Sequence, residues 1–306
     1  MELVDPPTPP VLPVLTGVDP TSVRYVPAER RFVWEVALDP EAAARIAAER
    51  HTFDDVAAIR RARLARERPG PWTSSPALDV PELVPLLRDH PELLDMQGKT
   101  ILDVGGTLPV AWRFVTDGAE AVHQIDVSPE SQRVGLARCH LQLDAEQQQR
   151  VWFHTVPAER LPFREASFDL IFSRHSVHHL DRPAVYDAFA RVLKPGGALL
   201  VFEPWLNRPL RAATTASRAV RRQLWGVDRG ADNPLGRDDV RALRARFRHV
   251  SVGRFGAGGV ALVWVFRRFR RLHGPLRTWL RVERVLGHHP TVARLTGMKS
   301  WILAIR

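Results

Sequence analysis

Proton chemistry in this chain of 306 residues is concentrated in one short run, Ser173-Arg174-His175-Ser176-Val177-His178-His179-Leu180. An unperturbed imidazole titrates near about 6.5, so His175, His178 or His179 can take a proton from a hydroxyl or amine held beside it. The same rings also suit packing under the following helix or a hydrogen bond to Asp181, and both readings stand on sequence alone. His175 and His179 are four apart, a metal-ligand spacing. No matching Cys, His or carboxylate set accompanies them, so no metal is expected. Glu203 ends a later apolar run, where it either touches an acceptor or anchors the next loop.

A second group pairs acids with glycine. Ile101-Leu102-Asp103-Val104-Gly105-Gly106 is an apolar strand that ends on an acid and opens into a glycine turn. Glycines there let backbone N–H groups approach a ligand beyond the carboxyl ends of the strands. Asp126 lies 23 residues after Asp103, in Gln124-Ile125-Asp126-Val127-Ser128. A carboxylate at that point accepts hydrogen bonds from both ribose hydroxyls, or else caps the helix that opens at Ser128-Pro129.

Alternating strands and helices must position these groups. Strands are expected over 100–104, 121–126, 151–155, 168–173 and 198–203, with helices over 110–117, 129–141 and 182–193. That order calls for an α/β fold with a parallel, doubly wound sheet. Lys194-Pro195-Gly196-Gly197 reads as a helix stop and tight turn. Upstream, residues 23–38 carry Tyr25, Phe32 and Trp34 and are expected to dock on the main domain. Helices follow over 40–50 and 53–68, the second capped at Thr52, and over 80–90. Downstream come a basic helical stretch at 208–225, a helix over 238–247, a strand near 250–255, a helix over 276–286 and an edge or final strand at 301–305.

The glycine-turn strand, taken with AERLPFREASFDLIFSRHSVHHLDRPAVYDAFARVLKPGGALLVFEP from Ala158 to Pro204, resembles the class I S-adenosylmethionine-dependent methyltransferases. The closest likeness is to the small-molecule branch called methyltransferase type 11, over about residues 99–255. The resemblance implies a Rossmann-like sheet, S-adenosylmethionine as cofactor and S-adenosylhomocysteine as its product. It places Asp103, Gly105 and Gly106 in the cofactor turn, with Thr107 and Pro109 where two further glycines are usual. It gives Asp126 to the ribose, Val127 to the adenine face, and Ala158 and Glu159 to the adenine loop. Pro157 stands where an aspartate usually binds the adenine amino group, and Ser173 where the methionine part is contacted. The implied organisation is a proline-rich leader and helical extension over 1–98 that covers the substrate, a cofactor-binding core over 99–255, and a basic helical insertion with the final strand over 256–306.

Composition bounds the rest. Hydrophobic content of 45% and charged content of 25% suit a globular chain. A single cysteine, Cys139, excludes an internal disulfide and suits a reducing cytoplasm. No apolar run reaches the roughly 18 residues of a membrane span, and no basic-then-apolar leader marks secretion. The stretch from Pro204 onward holds 22 Lys and Arg against 5 Asp and Glu, near +17, while the front is near −7. A solvated face explains this most simply. An anionic acceptor, a membrane surface contacted peripherally, or a second subunit in a homo-oligomer comes next, and nucleic acid last, for want of a binding signature.

The expected activity is methyl transfer to a small, mostly apolar metabolite on oxygen, nitrogen or carbon, an isoprenoid alkene with coupled cyclisation included. Tyr25, Trp34, Trp72, Trp205 and Trp225 then either wall the acceptor or pack the core. Two rivals are a repurposed fold catalysing a cyclisation without methylation, and an RNA methyltransferase.

Overall fold

The computed structural model describes residues 23–26, 31–64, 93, 95–105, 111–205, 234–255 and 299–306. Its centre is a nine-stranded sheet of order β1-β2-β5-β4-β3-β6-β7-β9-β8. Strands β3 (Thr100–Val104), β4 (Ala121–Asp126), β5 (Val151–Thr155), β6 (Phe168–Arg174) and β7 (Leu193–Pro204) are parallel neighbours. The chain runs from β3 outward to β4 and β5, then returns to the other side of β3 for β6 and β7. Strand order therefore reverses beside β3, and the carboxyl ends there open a crevice.

The central strands are apolar on both faces, as a sheet covered on both sides requires. Leu102, Val104, Ile171, Leu199 and Val201 join one core cluster with Val185, Tyr186 and Phe189 of α5 (Arg182–Val192). Ile101, Val122, Leu170, Phe172 and Leu200 join the other, with Trp112, Phe114 and Val115 of α2 (Ala111–Thr116) and Cys139 of α3 (Pro129–Gln142). A short α4 (Ala145–Gln148) carries a capping box between Asp144 and Gln147.

The flanks differ from the sequence expectation in four respects. First, the N-terminal extension is not only helical: β1 (Val23–Val26) and β2 (Arg31–Trp34) form an antiparallel pair, and β2 runs parallel to β5. Their aromatic and β-branched residues favour strand, and β2 covers what would otherwise be an open edge of β5. Second, 40–64 is one helix, α1 (Pro40–Leu64). Asp39 caps it through Ala42 N–H at 2.9 Å, whereas the expected cap Thr52 sits inside and donates back to Ala48 O at 3.1 Å.

Third, the 194–197 turn lies within the bounds of β7. It forms a register shift between the pairs Phe168–Leu193 and Leu170–Ala198, with Gly196 at φ +78°. Fourth, the last strand β9 (Lys299–Ile305) is interior, antiparallel to both β7 and β8 (His249–Phe255), after α6 (Arg237–Arg244). The expected helices at 80–90, 208–225 and 276–286 lie outside the described residues.

Strand β2 is joined to the sheet by a buried polar relay. Phe32 stacks on His154 at 5.2 Å, and Trp34 Nε1 donates to His154 Nδ1 at 3.3 Å. With Nδ1 accepting, the proton of His154 sits on Nε2 and is donated to His123 Nδ1 at 3.0 Å. Burial holds His123 down at about 3. Burial, then the neighbouring His123, holds His154 well below the ordinary imidazole range.

Both rings are thus neutral when folded and protonated when unfolded below about 6.5, so their stabilisation is full above that value and lost as pH falls. Urea denaturation at pH 5 is expected to give about 2 kcal/mol less stability per histidine than at pH 7.5. A loss below about 1 kcal/mol in total would contradict neutral burial of the pair.

Candidate active site

The carboxyl ends of β3, β4 and β5 meet the loop after β6 in a narrow cleft. Its walls are Val104, Gly105, Ile125, Asp126, Val127, Val156, Ala158, Ser176, His179 and Leu180, with Glu49 and Phe53 of α1 closing it from above. Gly105 shapes one end. Its φ is +95° and its N–H donates to Ile125 O at 3.0 Å. A Cβ at this position would stand 1.8 Å from Ser176 Oγ, so only glycine lets the loop after β6 close on the turn. Gly106, Thr107 and Pro109 lie outside the described residues.

Asp126 forms the opposite wall. Its Oδ1 accepts Ser128 N–H at 2.7 Å, which fixes the exit from β4. The helix cap is Ser128 itself, whose Oγ accepts Ser131 N–H at 2.9 Å, so Asp126 is not the cap of α3. Val127 and Ala158 line the cleft between Asp126 and the 3-10 turn Ala158–Arg160. Glu159 points elsewhere, toward an open cavity of about 700 Å³ that Arg45, Trp34 and Asp181 also border. Its Oε1 accepts from Arg45 Nη2 at 2.6 Å and from Asp181 N–H at 3.1 Å.

Besides Glu159, two more of the expected cofactor residues lie off the cleft. Asp103 is buried in the sheet interior and accepts from Gln124 Nε2 at 3.3 Å. Ser173 is buried, its Oγ directed to Val104 O at 3.5 Å, and the nearby serine on the cleft wall is Ser176.

The three histidines divide by position. His175 adopts φ +57° and donates its N–H to Phe202 O at 2.9 Å. His178 is buried, with Nδ1 2.5 Å from Glu203 Oε2. Glu203 Oε1 accepts the N–H groups of Ser176 and Val177 at 2.9 and 2.8 Å. A carboxylate oxygen accepts, so His178 Nδ1 carries a proton and donates it to Glu203. Glu203 therefore anchors the loop after β6, upstream of itself; residues 206–233 of the loop that follows it lie outside the described residues. His179 is the histidine on the cleft wall, its ring 3.9 Å from that of His178 and edge-on to Phe53 at 5.4 Å.

The described aromatic residues sort mostly into the core. Trp205 is buried beneath the Arg254 guanidinium at 4.9 Å, and Tyr25 packs on Phe32 at 4.8 Å. Trp72 and Trp225 fall outside the described residues. Among the described residues no cluster of three or more His, Cys, Asp or Glu is placed to hold a metal ion. None of the described helices is long and apolar enough to cross a membrane.

Sequence reasoning did not reach Glu49 and Phe53, which come to the cleft from a helix about fifty residues before the glycine turn. Their spacing carries no signal, because α1 lacks a strong apolar stripe.

The order of strands is that of a Rossmann-like sheet, with the cleft at its switch point and an acid at the end of β4. Residues 102–201 match the family described as Methyltransferase domain, and this core belongs to it, among the class I S-adenosylmethionine-dependent methyltransferases. The chain is similar to phosphoethanolamine N-methyltransferase 2 of Caenorhabditis elegans, 33% identical over 34% of this chain and 23% of the relative. It is also similar to 27-O-demethylrifamycin SV methyltransferase of Amycolatopsis mediterranei, 36% identical over 33% of this chain and 37% of the relative. The match thus spans less than half of either relative. Among solved structures, the [4+2]-cyclase SpnF aligns with a TM-score of 0.49 at 18% identity, over 84% of this chain and 94% of that one.

Proposed function

We propose that this protein transfers the methyl group of S-adenosylmethionine to a small, mostly apolar metabolite. The observation that carries the reading is Asp126. Its carboxylate ends β4 on the wall of the switch-point cleft, inside a segment that matches the methyltransferase family. The residues present fit the cofactor: Asp126 would hold the ribose hydroxyls, Val127 and Ala158 would flank the adenine, and the backbone at Gly105 would approach the methionine part. The missing Cβ at Gly105 makes room for Ser176, which brings the loop after β6 onto the cleft beside Asp126. In the conformation described the cleft holds about 40 Å³. Small-molecule pockets usually measure about 300–1,000 Å³, so the cleft must widen when the site fills.

When bound, the cofactor supplies an electrophilic sulfonium methyl. The protein contributes alignment of the acceptor and exclusion of water, the larger part of catalysis in a displacement of this kind. Glu203 holds the loop after β6 in place, with Ser176 against Gly105. If the acceptor carries a proton, His179 is placed to take it, with His178 beside it oriented by Glu203. An acceptor with no proton to lose needs neither.

Incubation with S-adenosylmethionine carrying a deuterated methyl, together with fractionated apolar metabolites, tests the reading by mass spectrometry. Label in a small acceptor supports it. Bound cofactor with no label passed to any small-molecule fraction would refute it.

A further inference from the structure

Helix α1 brings a charge to the cleft as well as a cover. Arg50 Nε donates to Val127 O at 2.9 Å, and Ser128 Oγ donates to Asp54 at 2.5 Å. Phe53 packs edge-on to His179. Between these fastenings Glu49 lies on the cleft wall with Gly105, Asp126 and Ala158.

The groups facing Glu49 are mostly acidic. From its own helix comes Arg45, with Nη1 3.5 Å from Glu49 Oε1 but Nη2 2.6 Å from Glu159 Oε1, so two carboxylates share one guanidinium. Glu159 approaches from the 3-10 turn, and Asp181 acts on Arg45 from the start of α5. Asp126 faces Glu49 from β4, and His179 borders the same cleft. Glu159 Oε2 is buried, in a side chain only 7% exposed, and has no hydrogen-bond partner among the described residues. Around Glu49 the carboxylates of Glu49, Asp54, Asp126 and Glu159 thus outnumber the two arginines, Arg45 and Arg50. Burial raises Glu49 to about 7, with Glu159 and Asp126 adding to the rise and Arg45 opposing it.

We propose that Glu49 is the residue by which the cleft distinguishes its cationic methyl donor from the product that has lost that charge. The inference rests on the reading that the cleft takes S-adenosylmethionine. The donor brings a sulfonium cation into a low-dielectric space bordered by Glu49 and Asp126, with Glu159 set behind Glu49 across Arg45. Methyl transfer leaves a thioether without that charge, so the same carboxylates cease to favour the ligand and product leaves more readily. At an effective dielectric of about 20, a unit charge about 8–12 Å away changes binding by about ten- to thirtyfold. The donor favours ionised Glu49, so its binding expels the proton that Glu49 carries in part of the molecules at neutral pH. Donor affinity then rises from pH 6 to 8 and levels off above.

The test is calorimetric titration of the full chain with S-adenosylmethionine and, separately, S-adenosylhomocysteine at pH 7. Phosphate and Tris buffers, which differ in ionisation enthalpy, report the protons exchanged. The wild type is expected to release about half a proton with the donor and close to none with the product. Glu49→Gln is expected to abolish the release and weaken the donor about tenfold, while changing the product by less than about twofold. Glu49→Asp should recover part of the donor preference, and thermal unfolding confirms that both variants fold.

Equal weakening of both ligands by Glu49→Gln would overturn the proposal and leave Glu49 a packing residue. Proton release that survives in Glu49→Gln would also overturn it, in favour of His179. Failure of either ligand to bind the wild type would overturn the cofactor reading together with this one.

Discussion

Replacing Glu203 with alanine is expected to cost about 3–5 kcal/mol of folding stability, the range for stripping one partner from a buried charged network. The side chain is 1% exposed and accepts from three donors, the N–H groups of Ser176 and Val177 and the Nδ1 proton of His178. Alanine leaves two buried donors, at Val177 and His178, and the half-buried Ser176 N–H unmatched, and each unsatisfied buried group costs about 1–3 kcal/mol before relaxation. Relaxation would take the form of the loop after β6 peeling from the sheet, which also moves Ser176 and His179 off the cleft. Glutamine keeps one acceptor for the two backbone donors but turns an amide toward His178, so a smaller loss of about 1–2 kcal/mol is expected. Urea denaturation measures both values, and amide exchange at Ser176 and Val177 reads the loop directly. An alanine variant within about 1 kcal/mol of the wild type would contradict the anchoring role.

Gly105→Ala is expected to act from the other side of the same contact. The residue would be held at φ +95°, outside the comfortable range of an L side chain, and its Cβ would lie 2.7 Å from Ser176 Cβ as well as 1.8 Å from Ser176 Oγ. Backbone strain of about 1–3 kcal/mol adds to overpacking of similar size. Ser176 cannot retreat cheaply, because its N–H is pinned by Glu203 at 2.9 Å. The expected total is about 3–4 kcal/mol of stability, with cofactor binding weakened at least about a hundredfold. The double variant Gly105→Ala/Ser176→Gly relieves the clash but not the backbone strain, so it should recover part of the stability. Purely additive losses in that cycle would show that the two residues do not meet.

The core of the fold was legible because each element there obeys one period. The expected bounds of β3, β4 and β5 coincide with those observed, and the α2, α3 and α5 bounds differ by a residue or so at an end. The flanks were harder for particular reasons. Strands β1 and β2 are four residues each and gain their meaning from the edge of β5 and from His154, both distant in sequence. Thr52 carries a cap signature, but the helix already has a cap in Asp39, and the threonine hydroxyl turns back to a carbonyl. Residues 301–305 read as an edge or final strand; β9 is the final strand of the chain, and only its pairing with β8 on the far side rules out the edge.

At the site, Gly105, Asp126, Val127, Ala158 and His179 were legible and lie together on the cleft. Asp103 lies off it because alternation along β3 turns it to the face opposite Val104, and Ser173 because its hydroxyl is turned to Val104 O, neither of which a motif match reveals. His178 and Glu203 read as separate candidates in sequence, and only the fold makes them one hydrogen-bonded unit.

The central claim is that the cleft bordered by Asp126 is the S-adenosylmethionine site. Calorimetric titration of the wild type and of Asp126→Ala tests it most directly, with thermal unfolding as the control for folding. The wild type should bind S-adenosylmethionine with a Kd in the micromolar range, and the variant at least about a hundredfold more weakly, as loss of a carboxylate that holds two ribose hydroxyls would require. Wild-type protein that shows no heat of binding, or a variant that binds as tightly as the wild type, would contradict it.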